Sequence, residues 1–237
     1  RQQPFRTLAG TWRVGRCVPF QLQKPMLKPT RFPGHRIRRG RSFPIAVRPT
    51  KADVAIARAI ARNTAPAPEY AARALTWGAD EKVLLVLATA GWIVSRGRGE
   101  SLRRAGNHAL LVTAATSLLP HVMKSLFDQI RPDRRTVVGH IHGLSFSGKR
   151  DDAFPSGHAM HMGALASAAG TLPAAPRRAI RAYAVGLSLT RVVVLAHWTS
   201  DVVLGFALGA AFERVLRLWT GYPIAIPTPK ENDHADT

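Results

Sequence analysis

The chain has 237 residues, a formal net charge of +20 and a single cysteine, Cys17. That length suffices for one domain with a sizeable core plus a tail, and one cysteine excludes an internal disulfide. The charge is uneven: residues 1–78 hold 16 of the 34 Lys and Arg and only two acids, Asp53 and Glu69, so basicity says little about the rest.

Residues 1–50 are rich in Arg, Pro and Gly with no helical or strand period, which predicts a disordered basic tail over 1–51. Such a tail could contact anionic lipid or nucleic acid, but a solvated tail of no specific role is the favoured reading. No uninterrupted apolar run of a secretory signal occurs in the first 30 residues. The chain begins at Arg1, as expected of a processed, truncated or upstream-extended product. Residues 52–62 (ADVAIARAIAR) are amphipathic, with Arg58 and Arg62 one turn apart. TAPAP at 64–68 breaks that helix and 69–78 starts another. The expected units are therefore the tail 1–51, an amphipathic segment 52–78, a helical domain 79–222 and a C-terminal tail 223–237.

Five apolar stretches follow, near 83–95, 109–127, 159–172, 179–196 and 202–218. A membrane-spanning helix wants about 20 apolar residues, so several are marginal. Arg191 interrupts the fourth, and Glu213, Arg214 and Arg217 the last. Gly205-x3-Gly209 and GALASAAG at 163–170 would let helix backbones approach closely. Trp77, Trp92, Trp198 and Trp219 mostly flank the stretches, as an interfacial belt or packed core residues would.

The residues able to carry chemistry fall at the ends of these stretches. Lys124 and Arg131 are seven apart, which predicts one face of the helix leaving the second stretch, with Pro132 stopping it. The bland alternative pairs Lys124 with Asp128 at a helix end. Pro155-Ser156-Gly157-His158 directly precedes the third stretch and reads as a helix N-terminus, where free N–H groups and the dipole favour an anion. Ser156 suits an N-cap there. An arginine inside an apolar stretch, as Arg191 is, is costly unless it serves a site. His197 and Asp201 are four apart, a spacing that suits a pair across one helical turn. His121 and His161 read as packed or solvated, and Asp151 and Asp152 as solvated loop acids. His140-x-His142 supplies too few ligands for a structural zinc. Two histidines, a carboxylate and three cations suit attack by an imidazole on a phosphoryl group.

The three blocks together, KSLFDQIRP (124–132), PSGH (155–158) and TRVVVLAHWTSD (190–201), resemble the type-2 phosphatidic-acid phosphatase superfamily. Its pattern is K-x6-R-P, P-S-G-H and S-R-x5-H-x3-D, and Thr190 stands where that family usually has serine. The resemblance spans about residues 80–218. It implies an all-helical, multi-pass membrane bundle of about five or six spans and a lipid phosphate phosphatase working without metal or other cofactor. His197 would be the nucleophile that forms a phosphohistidine, Asp201 its orienter and His158 the general acid. Lys124, Arg131, Ser156, Gly157 and Arg191 would bind the phosphate. Candidate substrates are phosphatidic acid, phosphatidylglycerophosphate, undecaprenyl pyrophosphate and lipid A phosphates.

Helix parity puts the three blocks on one side and RGRGESLRR (96–104), Pro176-Arg177-Arg178 and the end carrying Arg214 and Arg217 on the other. Short basic loops stay in the cytoplasm, so the site is expected to face the periplasm or exterior of a bacterial-type membrane. Five spans would also place the basic residues 1–78 outside, against their charge. Competing readings are soluble acid phosphatase or vanadium haloperoxidase chemistry on the same motifs, a non-catalytic headgroup binder, and a nucleic-acid-binding protein acting through its tail. No specific nucleic acid is the expected partner.

Overall fold

A computed structural model describes residues 45–135, 149 and 151–222, and in it the chain is mostly helical. Among the described residues the order is β1 (Ile45–Ala46), α1 (Lys51–Asn63), α2 (Pro66–Leu75), α3 (Glu81–Ser95), α4 (Glu100–Leu126), β2 (Phe127–Asp128), α5 (Pro132–Arg135), α6 (Gly157–Ala168), α7 (Ala174–Val193) and α8 (Thr199–Thr220). Short 3₁₀ turns follow α2 and α6.

The expectation of a tail running to residue 51 needs correcting at its end. β1 pairs in parallel with β2, Ile45 opposite Phe127 and Ala46 opposite Asp128. Val47 N extends the pairing by donating to Asp128 O at 3.0 Å. Thr50 then closes a capping box with Asp53 at the start of α1: Asp53 N donates to Thr50 Oγ1 at 3.1 Å and Thr50 N donates to Asp53 Oδ2 at 2.9 Å. Residues 1–44 and the C-terminal tail 223–237 lie outside the described residues.

The five apolar stretches become α3, α4, α6, α7 and α8. Among the described residues one helix, Glu100–Leu126, is long and apolar enough to cross a membrane by length and composition. It carries Pro120 internally. The Thr116 and Ser117 hydroxyls bond back to the Val112 and Thr113 carbonyls at 2.8 and 2.9 Å, which satisfies them inside the helix.

α6 is the central helix, buried along most of its length, and its tightest partner is α8. Glycine makes this possible. A Cβ at Gly163 would stand 1.9 Å from Phe206 O, and one at Gly209 1.9 Å from Met160 O, so the backbones touch where no side chain fits. About 21 Å along α8 from its start, Glu213 is buried and accepts from His108 Nε2 at 3.1 Å and from Ser167 Oγ, with Arg217 Nη2 at 3.5 Å. A buried carboxylate survives only with such partners.

The tryptophans divide. Trp77 and Trp219 are 71% and 77% exposed, whereas Trp198 is 1% exposed and donates from Nε1 to Ile130 O at 2.9 Å. Trp198 is therefore a core residue rather than part of a belt. Large apolar side chains such as Val86, Ile93, Leu118, Leu189, Val203 and Leu218 stand exposed on the outer faces of the long helices.

Candidate active site

The site forms where the C-terminal ends of α4 and α7 meet the N-terminal ends of α6 and α8. Lys124 is in the last turn of α4, but the helix stops at Leu126 and Arg131 lies beyond β2. The expected two-turn relationship on one helix face is therefore replaced, because the chain leaves the helix to pair with β1. Convergence comes instead from Asp152. Its Oδ1 accepts from Arg131 Nε and Nη2 at 3.0 and 2.9 Å, and its Oδ2 stands 3.7 Å from Lys124 Nζ. Arg131 also donates to Lys149 O at 2.9 Å and Ala196 O at 3.0 Å.

Asp152 is thus an organiser of two cations and not a solvated loop acid. A bridge between Gln129 and Asp152 puts it there: Gln129 N donates to Asp151 O at 3.2 Å and Ala153 N donates to Gln129 O at 3.1 Å. The sequence offered one hint, since several cations gathered in one place need an acid to hold them.

Ser156 caps α6, its Oγ accepting from Ala159 N at 3.4 Å, which leaves its own proton free to donate. Gly157 opens the helix. A Cβ there would meet Pro120 at an ordinary 3.5 Å, so packing alone does not demand glycine. His158 follows, half-buried in the first turn, within electrostatic reach of Arg191, Lys124 and Arg131.

α7 ends at Val193, and Leu195 turns the chain with a positive φ of 50°. That left-handed conformation is strained for a branched side chain, and it is held on several sides. Ala196 N and His197 N both donate to Arg191 O, at 3.0 and 3.2 Å, while Leu195 O accepts from Asp133 N at 3.1 Å. His197 therefore sits in the turn before α8 and is buried. Its Nδ1 lies 2.6 Å from Ala153 O. A carbonyl only accepts, so Nδ1 carries the proton and Nε2 keeps its lone pair. Burial, and then the positive charges of Arg131, Arg191 and Lys124, hold this imidazole well below its ordinary 6.5. The ring is a neutral base.

Asp201 does not have the place expected for it. α8 begins at Thr199, so His197 precedes the helix and a spacing of four no longer spans one turn. Asp201 Oδ2 instead accepts from Trp198 N at 2.9 Å. The Gln129 amide, with its nitrogen toward the carboxylate, donates to Oδ1 at 2.7 Å. The Asp201 carbonyl accepts from Ser156 N at 3.3 Å. Asp201 ties the three motif blocks together, and the Ala153 carbonyl sets the tautomer. Neither the Ala153 carbonyl nor Gln129 carries a signature in the sequence.

Arg191 ends α7 with its Nε buried and without a hydrogen-bond partner among the described residues. The neighbouring Thr190 hydroxyl is 3.0 Å from Thr76 Oγ1. His161 is buried with Nδ1 2.9 Å from Thr116 Oγ1, a packed histidine as read from the sequence, and His121 is exposed, bonding Ser117 O at 2.8 Å. His140-x-His142 lies outside the described residues. The assembled site offers a neutral imidazole with a free Nε2, a second imidazole, a helix N-terminus and three cations, the equipment to hold a phosphate and transfer it.

Comparison with protein families matches residues 105–224 to the PAP2 superfamily. Lipid A 1-phosphatase of Rhizobium johnstonii is 36% identical over 108 residues, which are 45% of this chain and 44% of that protein. Lipid A 1-phosphatase of Rhizobium etli is 35% identical over 121 residues, 50% of this chain and 52% of that protein. The chain thus spans about half the length of these curated relatives. Among solved structures, a transmembrane PAP2-type phosphatidylglycerolphosphate phosphatase from Bacillus subtilis aligns with a TM-score of 0.59 at 22% identity, covering 74% of this chain and 87% of that one. Aquifex aeolicus LpxE aligns with a TM-score of 0.57 at 17% identity, covering 73% and 98%. At those identities the likeness is one of fold.

Proposed function

The chain belongs to the PAP2 superfamily, and from that premise we propose that it is a multi-pass membrane lipid phosphatase acting through a phosphohistidine at His197. The observation that carries this reading is the Ala153 O contact with His197 Nδ1, which leaves a neutral Nε2 facing a cluster of cations. Nε2 attacks phosphorus and the bond from phosphorus to the lipid oxygen breaks; His158, protonated from solvent once the phosphate's negative charge offsets the surrounding cations, delivers that proton to the leaving oxygen. His158 then takes a proton from water. The resulting hydroxide displaces the imidazole, phosphate leaves and both histidines return to their starting states.

Arg191, with its unpartnered Nε, and Lys124 grip the phosphate oxygens together with the Ser156 hydroxyl and the backbone at Gly157. Arg131 is engaged with Asp152 and two carbonyls, so its contribution is chiefly positive charge placed beside the nucleophile. Asp201 acts by positioning. The cations neutralise the developing charge, and the chemistry calls on no metal.

The names of the Rhizobium relatives put lipid A 1-phosphate first among substrates to test, ahead of phosphatidic acid, phosphatidylglycerophosphate and undecaprenyl pyrophosphate. Membrane integration is supported by the apolar outer faces of α3, α4, α7 and α8, with the short α6 shielded inside them. The same faces argue against a soluble acid phosphatase or haloperoxidase. The basic segment 96–104 and Arg214 and Arg217 lie at the end away from the motif residues, which favours a bacterial inner membrane with the site toward the periplasm. Residues 79–222 form the phosphatase unit in this reading, with 52–78 attached to it and the terminal tails outside it.

The test is phosphate release from those four lipids by detergent-purified protein in EDTA, beside His197→Ala. Release by the wild type and loss of at least a thousandfold in the variant are expected. No release from any of the four by folded protein, or abolition by EDTA, would overturn the reading.

A further inference from the structure

Asp53 lies outside the residues matched to the family, yet its carboxylate is 3% exposed and both oxygens are used. Oδ1 accepts from Ser200 N at 2.8 Å, and Oδ2 from Ser200 Oγ at 2.7 Å, Thr50 N at 2.9 Å and Thr50 Oγ1 at 2.8 Å. Ser200 is in the first turn of α8, where an N–H has no intrahelical carbonyl to reach. One carboxylate therefore caps two helices that are 147 residues apart in sequence and sits at the positive end of both dipoles. Burial opposes its charge, but the hydrogen bonds from Ser200 and Thr50 outweigh it and hold the carboxyl below 3.8.

The apolar contacts of α1 point to the same place. Ala57 is buried in one cluster with Ala153, Leu195 and Trp198, with Val54 and Ile60 packed against it. Those three partners are the residue whose carbonyl orients His197, the strained residue two before it and the residue directly after it. α1 thus rests on the Ala153 segment and on the turn that carries His197.

We infer that α1 is a positioning element for the nucleophile, with Asp53 holding the first turn of α8 in the register at which Ala153 O meets His197 Nδ1. The inference rests on the reading of His197 as nucleophile. Without the Asp53 bonds, the first turn of α8 loses its external acceptor and the His197 turn gains freedom. A misplacement of about 1 Å can cost a hundredfold in rate.

The experiment compares Asp53→Ala, Ser200→Pro, Thr50→Ala and His197→Ala on the best lipid phosphate of the panel, each assayed below its own melting transition. Proline is tolerated in a first helical turn, so Ser200→Pro deletes both bonds to Asp53 and still permits α8. Thr50→Ala removes the hydroxyl's bonds to Asp53 N and Oδ2 at the cap of α1 and leaves both Ser200 bonds in place. Asp53→Ala and Ser200→Pro are expected to lower kcat by about ten- to a hundredfold, with KM and inhibition by orthovanadate within about twofold of wild type. Thr50→Ala is expected to keep kcat within about twofold. Wild-type kcat in Asp53→Ala and Ser200→Pro, beside an inactive His197→Ala, sinks the inference and spares the nucleophile reading. Losses in KM and vanadate affinity equal to the loss in kcat also sink it. If Asp53→Ala does not fold, Ser200→Pro decides alone, and an active His197→Ala brings down both readings.

Discussion

At position 197 the chemistry turns on which ring nitrogen meets an acceptor. Ala153 O accepts a hydrogen bond from Nδ1–H, and burial among cations keeps the ring uncharged well below 6.5. The acid limb of kcat/KM that belongs to the proposed nucleophile therefore lies far below pH 6.5, and a pH–rate profile locates it. Stability has the same sign. The folded value is depressed and the unfolded ring takes up its proton near 6.5, so this contribution is complete above pH 6.5 and is lost as pH falls from there toward the folded value. The slope is at most about 1.4 kcal/mol per pH unit. Melting curves between pH 8 and 5 should show it, and His197→Gln should make the slope shallower. Asp152 is the second residue-scale test. Asp152→Asn keeps the shape but removes the charge that gathers Arg131 and Lys124, and kcat/KM is expected to fall by roughly tenfold with little change in melting temperature. An unchanged kcat/KM would show that the cations hold their places without it.

Among the elements, the α6–α8 pair bears most on the site, because it carries Ser156 and His158 on one side and Asp201 on the other. Its glycines are required by backbone approach and not by backbone conformation. Gly209→Ala would drive a Cβ to 1.9 Å from Met160 O, and the helices must part. Overpacking of this kind costs about 1–3 kcal/mol, and activity should fall along with the melting temperature, since the Ser156 N–Asp201 O bond crosses the same interface. Gly91, with nothing within 4 Å of an added Cβ, is the control: Gly91→Ala should be neutral or slightly stabilising, read by the same melting assay.

For the whole molecule, α1 and α2 sit at the site's end of the bundle through the Asp53–Ser200 and Thr76–Thr190 contacts. If the proposed five helices span the membrane, the segment before α3 shares the compartment of the site, against the positive-inside rule but in keeping with these packing contacts. Arg62, exposed on α1, gives the test. In a Cys17→Ser background, Arg62→Cys should react in intact cells with a membrane-impermeant maleimide, and Arg98→Cys, in the loop between α3 and α4, only after lysis. The opposite pattern would invert the proposed orientation.

Sequence by itself determined the family, the five apolar helices and the ordered set of catalytic candidates, because residue type, apolar run length and the spacing inside short motifs are local properties. Lys124, Arg131, Ser156, Gly157, His158, Arg191, His197 and Asp201 do come to one end of one bundle. What local spacing could not decide was who touches whom. Two spacings that suggest helical pairs, 124 to 131 and 197 to 201, both cross a helix boundary, so the partners are instead Asp152 and the Ala153 carbonyl. Asp53 was invisible for a related reason: its partner lies 147 residues away, and only the packing of α1 on the His197 turn brings the two within hydrogen-bond reach. A hydrogen bond is short-ranged and directional, so its partners are assigned by the folded backbone and not by distance along the chain.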